Sequence, residues 1–259
     1  MSTASRKAPE RIALFGTSAD PPHVGHQSIL LWLAREFDRV LVWAADNPYK
    51  EKQSPIHNRA QMLRLLIETL PETLPTEGTK TLGEICVDQQ LSDRFSIHSI
   101  IRAKQLWPKA KFSFVVGADL IAQLPNWYRA REIFSLVDIL VFPRPGYPIE
   151  GPALSTLREL ATVHIAQPPY QHDISSSDFR QAHCLEQISN KQISNRVTDN
   201  KKDKIIQTNR QNSDLIPPII RDYITEHDLY PCLQSTLHPQ ETSLKKRPLA
   251  QKATASSRQ

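Results

Sequence analysis

Residues 16–26 read G-T-S-A-D-P-P-H-V-G-H and follow an apolar run, I-A-L-F, at 12–15. A second apolar stretch, at 29–34, comes shortly after them. This order predicts a buried strand, a turn and the start of a helix. A turn of that kind gathers backbone N–H groups and the positive end of the helix dipole at one place, where proteins bind phosphate. The stretch therefore predicts an anion site at which the imidazoles of His23 and His26 join the backbone donors.

Alternating patterns on either side of this stretch predict the fold. Apolar, β-rich runs predict strands at 11–15, 40–44, 111–116, 139–142 and 162–165. Helical patterns lie between and after them, at 25–36, 55–70, 96–106, 126–136 and 217–227. Strands that alternate with helices form a mostly parallel sheet with helices on both faces, so we predict an α/β, Rossmann-like fold. Ligands of such sheets bind at the carboxyl ends of the strands, where the loops after Phe15, Ala44 and Val116 lie.

Polar segments flank and interrupt the predicted domain, which we place at 11–233. Residues 1–10 form a basic N-terminal tail, and residues 234–259 have the composition of a disordered basic C-terminal tail. A polar insert at 184–213 contains the tandem repeat QISNK–QISNR at 187–196, which is too short for a solenoid. We interpret the insert as a low-complexity segment that extends into solvent, with a lid over the site as the alternative.

The basic excess of the chain lies in these outer segments. The net charge is +5, and residues 1–11, 184–213 and 234–259 together carry +9, which leaves −4 for the remainder. A nucleic-acid-binding protein shows its positive charge on a folded face. The sequence therefore predicts no nucleic-acid partner.

Apolar runs and cysteines bear on the location of the protein. No stretch approaches the roughly 20 consecutive apolar residues of a membrane helix. The first ten residues lack the apolar segment of a secretory signal. Cys86, Cys184 and Cys232 have the spacing of neither a zinc site nor a disulfide framework. We therefore predict no membrane partner and a cytoplasmic location, where thiols stay reduced.

The stretch at 16–26 resembles the G-x-S/T-x-D-P-x-H-x-G-H signature of the adenylyltransferase branch of the nucleotidyltransferase superfamily. The resemblance implies transfer of a nucleotidyl group from a nucleoside triphosphate to an acceptor phosphate, with release of pyrophosphate. It also implies that His23 and His26 are catalytic, because imidazole N–H donors stabilise the charge that develops on the phosphate oxygens. The attacking phosphate is already ionised, so the reaction requires no general base. The other residues of this stretch that the resemblance assigns to ATP are Gly16, Thr17, Ser18 and Gly25.

Residues 174–180, I-S-S-S-D-F-R, resemble a second element of that family, I-S-S-T-x-I/L-R, in which hydroxyls and an arginine hold the triphosphate. Serines at a helix start with an arginine in the first turns form an anion cradle, although alone they indicate only a helix cap. Together with the first motif, the resemblance implies that Ser176, Ser177 and Arg180 bind the triphosphate. Ser177 stands where threonine is usual.

Further motifs resemble those of nicotinate-nucleotide adenylyltransferases and concern both substrates. The sequence G-A-D at 117–119, followed by L-P-N-W at 124–127, is similar to their G-A-D…L-P-x-W signature. It implies that Gly117 and Asp119 contact ATP, with Asp119 on a ribose, and that Trp127 stacks on a pyridine ring. Looser matches to Y-T-I/V-D-T, P-x-x-P-P-H-K and R-P-G-Y imply acceptor contacts by Ser96 against the pyridine carboxylate, Lys50 near a phosphate, and Arg144.

The combined resemblance covers about residues 11–231 outside the insert and implies the reaction. We predict a single nucleotidyltransferase domain that joins ATP and nicotinate mononucleotide to give deamido-NAD and pyrophosphate, in NAD biosynthesis. Mg²⁺ is the implied cofactor, because the ATP phosphates need a counter-charge. The phosphates and water would hold it, since the sequence shows no cage of metal ligands.

Several alternatives remain open at this point. Thr17 stands where a second glycine is usual in the family, and Ala19 stands where phenylalanine is usual. These departures leave room for a nucleotide-binding regulator with weakened catalysis. The same chemistry could also act on nicotinamide mononucleotide, or on phosphopantetheine, although the G-A-D…L-P-x-W pair argues against the latter. Nucleic-acid binding through the basic tail at 234–259 is a further alternative.

Overall fold

A single parallel sheet forms the centre of the protein. The structure, a computed structural model, describes residues 8–47, 50, 53–70, 81–168, 176–177, 179–181, 183–184 and 215–231. Its strands are β1 (Arg11–Thr17), β2 (Arg39–Ala44), β3 (Glu84–Val87), β4 (Lys111–Gly117), β5 (Asp138–Phe142) and β6 (Val163–Ile165). Their spatial order is β3-β2-β1-β4-β5-β6, and every neighbouring pair is parallel. This is the order of a doubly wound α/β sheet, so the predicted fold class is confirmed.

Five of the six helices whose bounds the structure gives lie near the predicted positions, and the described residues between 176 and 184 are helical as well. The six helices are α1 (Val24–Glu36), α2 (Ile56–Glu68), α3 (Ser96–Leu106), α4 (Ala130–Leu136), α5 (Pro152–Leu160) and α6 (Pro218–Glu226). Strand β3 and helix α5 were not predicted. The helix predicted at 126–136 is shorter than expected: a 3-10 turn covers Leu124–Asn126, and Arg129, with a left-handed φ of 57°, separates it from α4.

Side chains alternate between two apolar cores, one on each face of the sheet. On β1, Ala13 and Phe15 enter the core that includes residues of α1, α2 and α6, whereas Ile12 and Leu14 enter the core that includes residues of α3, α4 and α5. Each fully buried leucine or isoleucine contributes about 1.5–3 kcal/mol. Burial on both faces fixes the register, because a slip of one residue would exchange the two sets.

The carboxyl ends of the four central strands meet at one edge of the sheet. Thr17 of β1 pairs with Ala44 of β2, and Gly117 of β4 pairs with Phe142 of β5. The strand order reverses between β1 and β4, and in open parallel sheets ligands bind at such a reversal. The fold therefore brings the loops that the sequence singled out to the place where this topology binds ligands.

Some sequence predictions fall outside the described residues. These are the tail at 1–7, the residues 174, 175 and 178 of the second motif, the repeat at 187–196 with the rest of the insert after Cys184, Cys232, and the tail at 234–259. In the part of the chain that the structure describes, no helix is both long and apolar enough to cross a membrane.

The cysteines require a correction. The sequence spacing indicated no disulfide, yet Cys184 is disulfide-bonded. Spacing along a chain does not report which sulfurs a fold brings together, and for this reason the expectation was wrong. The cysteine-based argument for a reducing compartment is weakened accordingly. Cys86 is a free thiol, and burial, followed by its hydrogen bond to Glu84, raises the pKa of that thiol to about 11.

Candidate active site

A cleft of about 1060 Å³ opens at the carboxyl edge of the sheet. Its volume lies at the upper end of the usual range for small-molecule sites. All the site residues predicted from the sequence line this one cleft: Gly16, Thr17, Ser18, His23, Gly25, His26, Lys50, Ser96, Gly117, Asp119, Trp127, Arg144, Ser176, Ser177 and Arg180. Motifs spread over some 160 residues of sequence are therefore neighbours in space.

Two glycines of the cleft lie close to other side chains. A Cβ on Gly16 would lie 2.9 Å from the indole of Trp43, its register partner on β2. A Cβ on Gly117 would lie 2.4 Å from Oδ1 of Asp119, an atom at the end of a side chain that can rotate away. The sequence motif assigned both glycines to the approach of ATP, and the structure adds a packing reason for Gly16.

Helix α1 orients the two histidines through its first turn. His23 is the N-cap residue, and its Nδ1 accepts a hydrogen bond from the backbone N–H of Gly25 at 3.1 Å. The Nδ1 of His26 in turn accepts from the backbone N–H of His23 at 3.2 Å. An Nδ1 that accepts carries no proton, so each neutral ring has its proton on Nε2. The rings meet edge to face at 4.1 Å, and both are buried.

His26 is neutral at neutral pH. Burial, and then the neighbouring side chains of His23, Lys50 and Arg144, hold the pKa of His26 well below its ordinary value of 6.5. A neutral imidazole contributes a single N–H dipole to a developing negative charge. The Nε2–H of His26 lies 3.1 Å from Oγ1 of Thr17, the last residue of β1.

Cationic side chains approach the cleft from the loops after β2 and β5. The ammonium of Lys50, after β2, donates to Oγ of Ser18 at 2.9 Å. Burial, and then the nearby charge of Arg144, lower the pKa of Lys50. Arg144, after β5, donates to Oδ2 of Asp119 at 2.8 Å. The sequence assigned Asp119 to a ribose and Arg144 to the acceptor, and in the structure these two side chains form an ion pair with each other.

The second phosphate motif packs against the first. Oγ of Ser176 donates to the backbone carbonyl of Pro21 at 2.9 Å. The guanidinium of Arg180 donates to the backbone carbonyl of Asp20 and to Oγ of Ser177 at 3.1 Å. Two segments separated by about 155 residues thus present their donors to the same cleft.

Aromatic rings line the other side of the cleft. Trp127, directly after the 3-10 turn, contacts Phe114 of β4 edge to face at 6.2 Å. Ser96 is the first residue of α3, and Phe95 before it packs on Tyr128 at 4.6 Å. Tyr128 is 54% exposed and lines the cleft, but the sequence analysis did not select it. Its position directly after the L-P-x-W match is the signal that could have indicated it.

Residues 18–23 form the loop between β1 and α1, which we call the phosphate loop because the sequence predicts phosphate binding there. Sequence reasoning missed the buried groups that hold this loop in place. Arg59 of α2 is 3% exposed. It donates to the backbone carbonyls of Ser54 at 2.9 Å, Ser18 at 3.0 Å and Ala45 at 2.8 Å. Burial lowers the pKa of Arg59, although the charge of Asp20 opposes that shift. A charged residue within an otherwise buried helix face was the one sequence signal for this role.

Asp20 is the second of these buried groups and lies in the first motif. Its carboxylate is 2% exposed, and Oδ1 accepts from Oγ of Ser54 at 2.6 Å and from the hydroxyl of Tyr230 at 2.7 Å. The guanidinium of Arg180 lies 3.8 Å from Oδ2. Tyr230 comes from the end of the described chain, so the segment after α6 is attached directly to the phosphate loop.

We expect Tyr230→Phe to lower the free energy of unfolding by about 1.5–3 kcal/mol, because it removes a hydrogen bond to a buried carboxylate. Urea unfolding checks this. Tyr223→Phe is the matched control, since the Tyr223 hydroxyl donates to the neutral amide oxygen of Asn58 at 3.0 Å. Tyr223→Phe should lower the free energy of unfolding by about 1 kcal/mol. Equal losses for the two variants would contradict a special role for the Asp20 contact.

Comparison with known proteins identifies a matching family and several relatives. Residues 14–182 match the profile of the cytidylyltransferase-like family. The chain is 36% identical over 237 residues to a probable nicotinate-nucleotide adenylyltransferase of Synechocystis sp., covering 85% of this chain and 98% of that protein. It is 26% identical over 148 residues to the nicotinate-nucleotide adenylyltransferase of Bacillus subtilis, covering 55% and 74%.

A solved structure has the same fold. It is Plasmodium falciparum nicotinic acid mononucleotide adenylyltransferase complexed with NaAD, which superposes with a TM-score of 0.62 and covers 85% of this chain and 97% of its own. The two sequences are 19% identical.

Proposed function

Because the chain belongs to the cytidylyltransferase-like family and, within it, to the nicotinate-nucleotide adenylyltransferases, we propose that it transfers the adenylyl group of ATP to nicotinate mononucleotide. The products are deamido-NAD and pyrophosphate. The observation that carries the proposal is that the predicted site residues of every motif shared with the family line one cleft at the carboxyl edge of the sheet.

The reaction is an in-line displacement at the α-phosphorus of ATP. A phosphate oxygen of the mononucleotide forms the new O–P bond, and the bond to the β-phosphate oxygen breaks as pyrophosphate leaves. Negative charge grows on the equatorial oxygens and on the leaving group, and donors that face this charge lower the barrier. We assign the stabilisation of this charge to the imidazoles of His23 and His26, whose orientation the first turn of α1 fixes.

The remaining assignments follow from position in the cleft. We propose that Ser18, Gly25, Ser176, Ser177 and Arg180 bind the triphosphate, with Gly16 and Gly117 allowing its close approach. Asp119 would accept from the ribose once ATP displaces its contact with Arg144. Lys50 and Arg144 would then face phosphate groups, and Trp127 and Ser96 would face the pyridine ring of the acceptor.

The acid rather than the amide is the acceptor favoured by charge. Helix α3 begins at the cleft with Ser96, and its N-cap residue, Phe95, supplies no side-chain acceptor to the first N–H groups. Such a helix end favours a carboxylate. Arg94, which also lines the cleft, adds a positive charge beside it, while the carboxylate of Asp93 in the same lining is paired with Arg102. These features favour nicotinate over nicotinamide mononucleotide.

A divalent metal, which we propose to be Mg²⁺, would screen the triphosphate charge when ATP is bound. The described residues contain no cluster of three or more histidine, cysteine or acidic side chains that could hold a metal ion. Phosphate oxygens and water would chiefly hold such an ion. We also retain the proposal of a cytoplasmic location, because the co-substrate ATP is made there.

The test supplies ATP and Mg²⁺ with either nicotinate or nicotinamide mononucleotide, and measures pyrophosphate release and the dinucleotide by mass spectrometry. We expect kcat/KM for the acid to exceed that for the amide by about tenfold or more, as one well-paired charge contact provides. Preference for the amide would overturn the choice of acceptor. Tight ATP binding without pyrophosphate release would instead select a regulator.

A further inference from the structure

We infer that Thr17 is a further catalytic residue, whose hydroxyl relays the hydrogen bond of His26 to the triphosphate. This inference rests on the proposed function, since it concerns how the same cleft contacts ATP. It goes beyond the family motif, in which glycine is usual at this position and no side chain could act as such a relay.

The surroundings of the His26 ring fix the direction in which its N–H group donates. Its Nδ1 is occupied by the backbone N–H of His23 at 3.2 Å, so the neutral ring has one N–H, on Nε2. That N–H points at Oγ1 of Thr17, 3.1 Å away. The ring is only 9% exposed, and turning it would break the contact with the N-cap residue of α1. His26 therefore donates to Thr17 in the arrangement that its surroundings fix.

The Thr17 hydroxyl has a proton of its own to donate. Oγ1 accepts from His26, so its own hydrogen must point elsewhere. In the part of the chain that the structure describes, the Thr17 hydroxyl makes no other hydrogen bond. The residue is half-buried and lines the cleft, next to Ser18, which receives a hydrogen bond from Lys50. An anion in the cleft is thus the available acceptor for the Thr17 O–H group.

The hydrogen bond from His26 strengthens the Thr17 hydroxyl as a donor. Hydrogen bonds in series polarise one another, so a hydroxyl that accepts from an imidazole is a better donor than an isolated one. A glycine at position 17 would expose Nε2–H to the cleft, whereas threonine moves the donor one hydroxyl further toward the ligand. Thr17 and His26 then act as one unit, and their contributions to the rate should not add.

The experiment compares Thr17→Val, Thr17→Ser and Thr17→Gly. Valine keeps the shape and removes the hydroxyl, so kcat should fall by about 10²-fold, as for loss of a donor to developing charge, while KM for ATP changes less. Serine should recover most of that loss. We expect kcat of Thr17→Gly to fall by a similar factor to kcat of Thr17→Val. In the double variant with His26→Ala, the loss should be close to that of His26→Ala alone.

Each contrary result overturns the inference. Full activity of Thr17→Val, or of Thr17→Gly, would mean that His26 contacts the phosphate without a relay. A loss in Thr17→Ser equal to that in Thr17→Val would mean that the methyl group matters and the hydroxyl does not. Additive losses in the double variant would mean that the two residues act separately.

A second readout does not depend on activity. Side-chain ¹H–¹⁵N spectra of the wild-type chain should show His26 as the Nε2–H tautomer, with its nitrogen shifts altered in Thr17→Val. An Nδ1–H tautomer would overturn the relay even if turnover behaved as expected. Wild-type turnover on ATP and nicotinate mononucleotide tests the proposed function separately, and if another acceptor is used, the Thr17 series is run with that acceptor.

Discussion

His26→Ala is expected to lower kcat by about 10²-fold or more, while the affinity for ATP changes far less. The reason is that the His26 imidazole is neutral and fixed, so its hydrogen bond gains strength only when charge builds on the reacting phosphate. Isothermal titration with a non-hydrolysable ATP analogue gives the affinity, and pyrophosphate release gives kcat. Equal losses in affinity and turnover would contradict a transition-state role.

Control measurements separate this effect from loss of structure. His26→Ala also leaves the backbone N–H of His23 without its acceptor, at a cost of about 1 kcal/mol in the stability of α1. Unfolding curves report that cost directly. His164→Ala is the matched histidine variant, because His164 of the edge strand β6 is exposed, pairs with Asp138 at the start of β5 and lies outside the cleft. It should retain wild-type kcat.

The parts of the fold that the sequence predicted are those with local causes. Helix α3 was predicted at the residues where it occurs because its apolar spacing and its boundaries both lie within a few residues. Strand β3 was missed because it lies at the sheet edge, where the first of its four residues is exposed and the other three are only half-buried. Helix α5 was missed although Gly151, at φ 90°, and Pro152 mark its start. That Gly-Pro pair was a usable helix-start signal.

In the candidate site, too, the sequence predicted the residues with local causes and missed those that depend on the fold. Residues inside local motifs, such as His23 and Arg180, were found because each motif carries its own chemistry in a few positions. Arg59 was missed, and so was the contact between Asp119 and Arg144, because these depend on which distant segments the sheet order brings together. The topology was predicted only as a class, and contacts of this kind need the order of the strands.

Arg59→Met is expected to lower the free energy of unfolding by about 3–5 kcal/mol. The change removes a buried guanidinium and leaves three carbonyl oxygens, those of Ser54, Ser18 and Ala45, without their donor. A buried polar group left unpaired costs about 1–3 kcal/mol, and neighbouring losses do not add in full. Methionine has similar length and packs well in apolar surroundings, so loss of shape contributes little. Urea unfolding of the full chain measures the change.

Arg64→Met provides the comparison on the same helix. Arg64 is exposed, and among the described residues its side chain hydrogen-bonds only Gln61, at 3.4 Å, so its replacement should change stability by no more than about 0.5 kcal/mol. Arg59→Lys should fall between the two, because one ammonium cannot reach three carbonyls held in different directions. If Arg59→Met were no less stable than Arg64→Met, the phosphate loop would be held by Asp20 and its partners alone.

Since Arg59 also fixes the carbonyl of Ser18, we expect the loss of stability to be accompanied by weaker ATP binding. ATP should therefore restore less stability to Arg59→Met than to the wild-type chain.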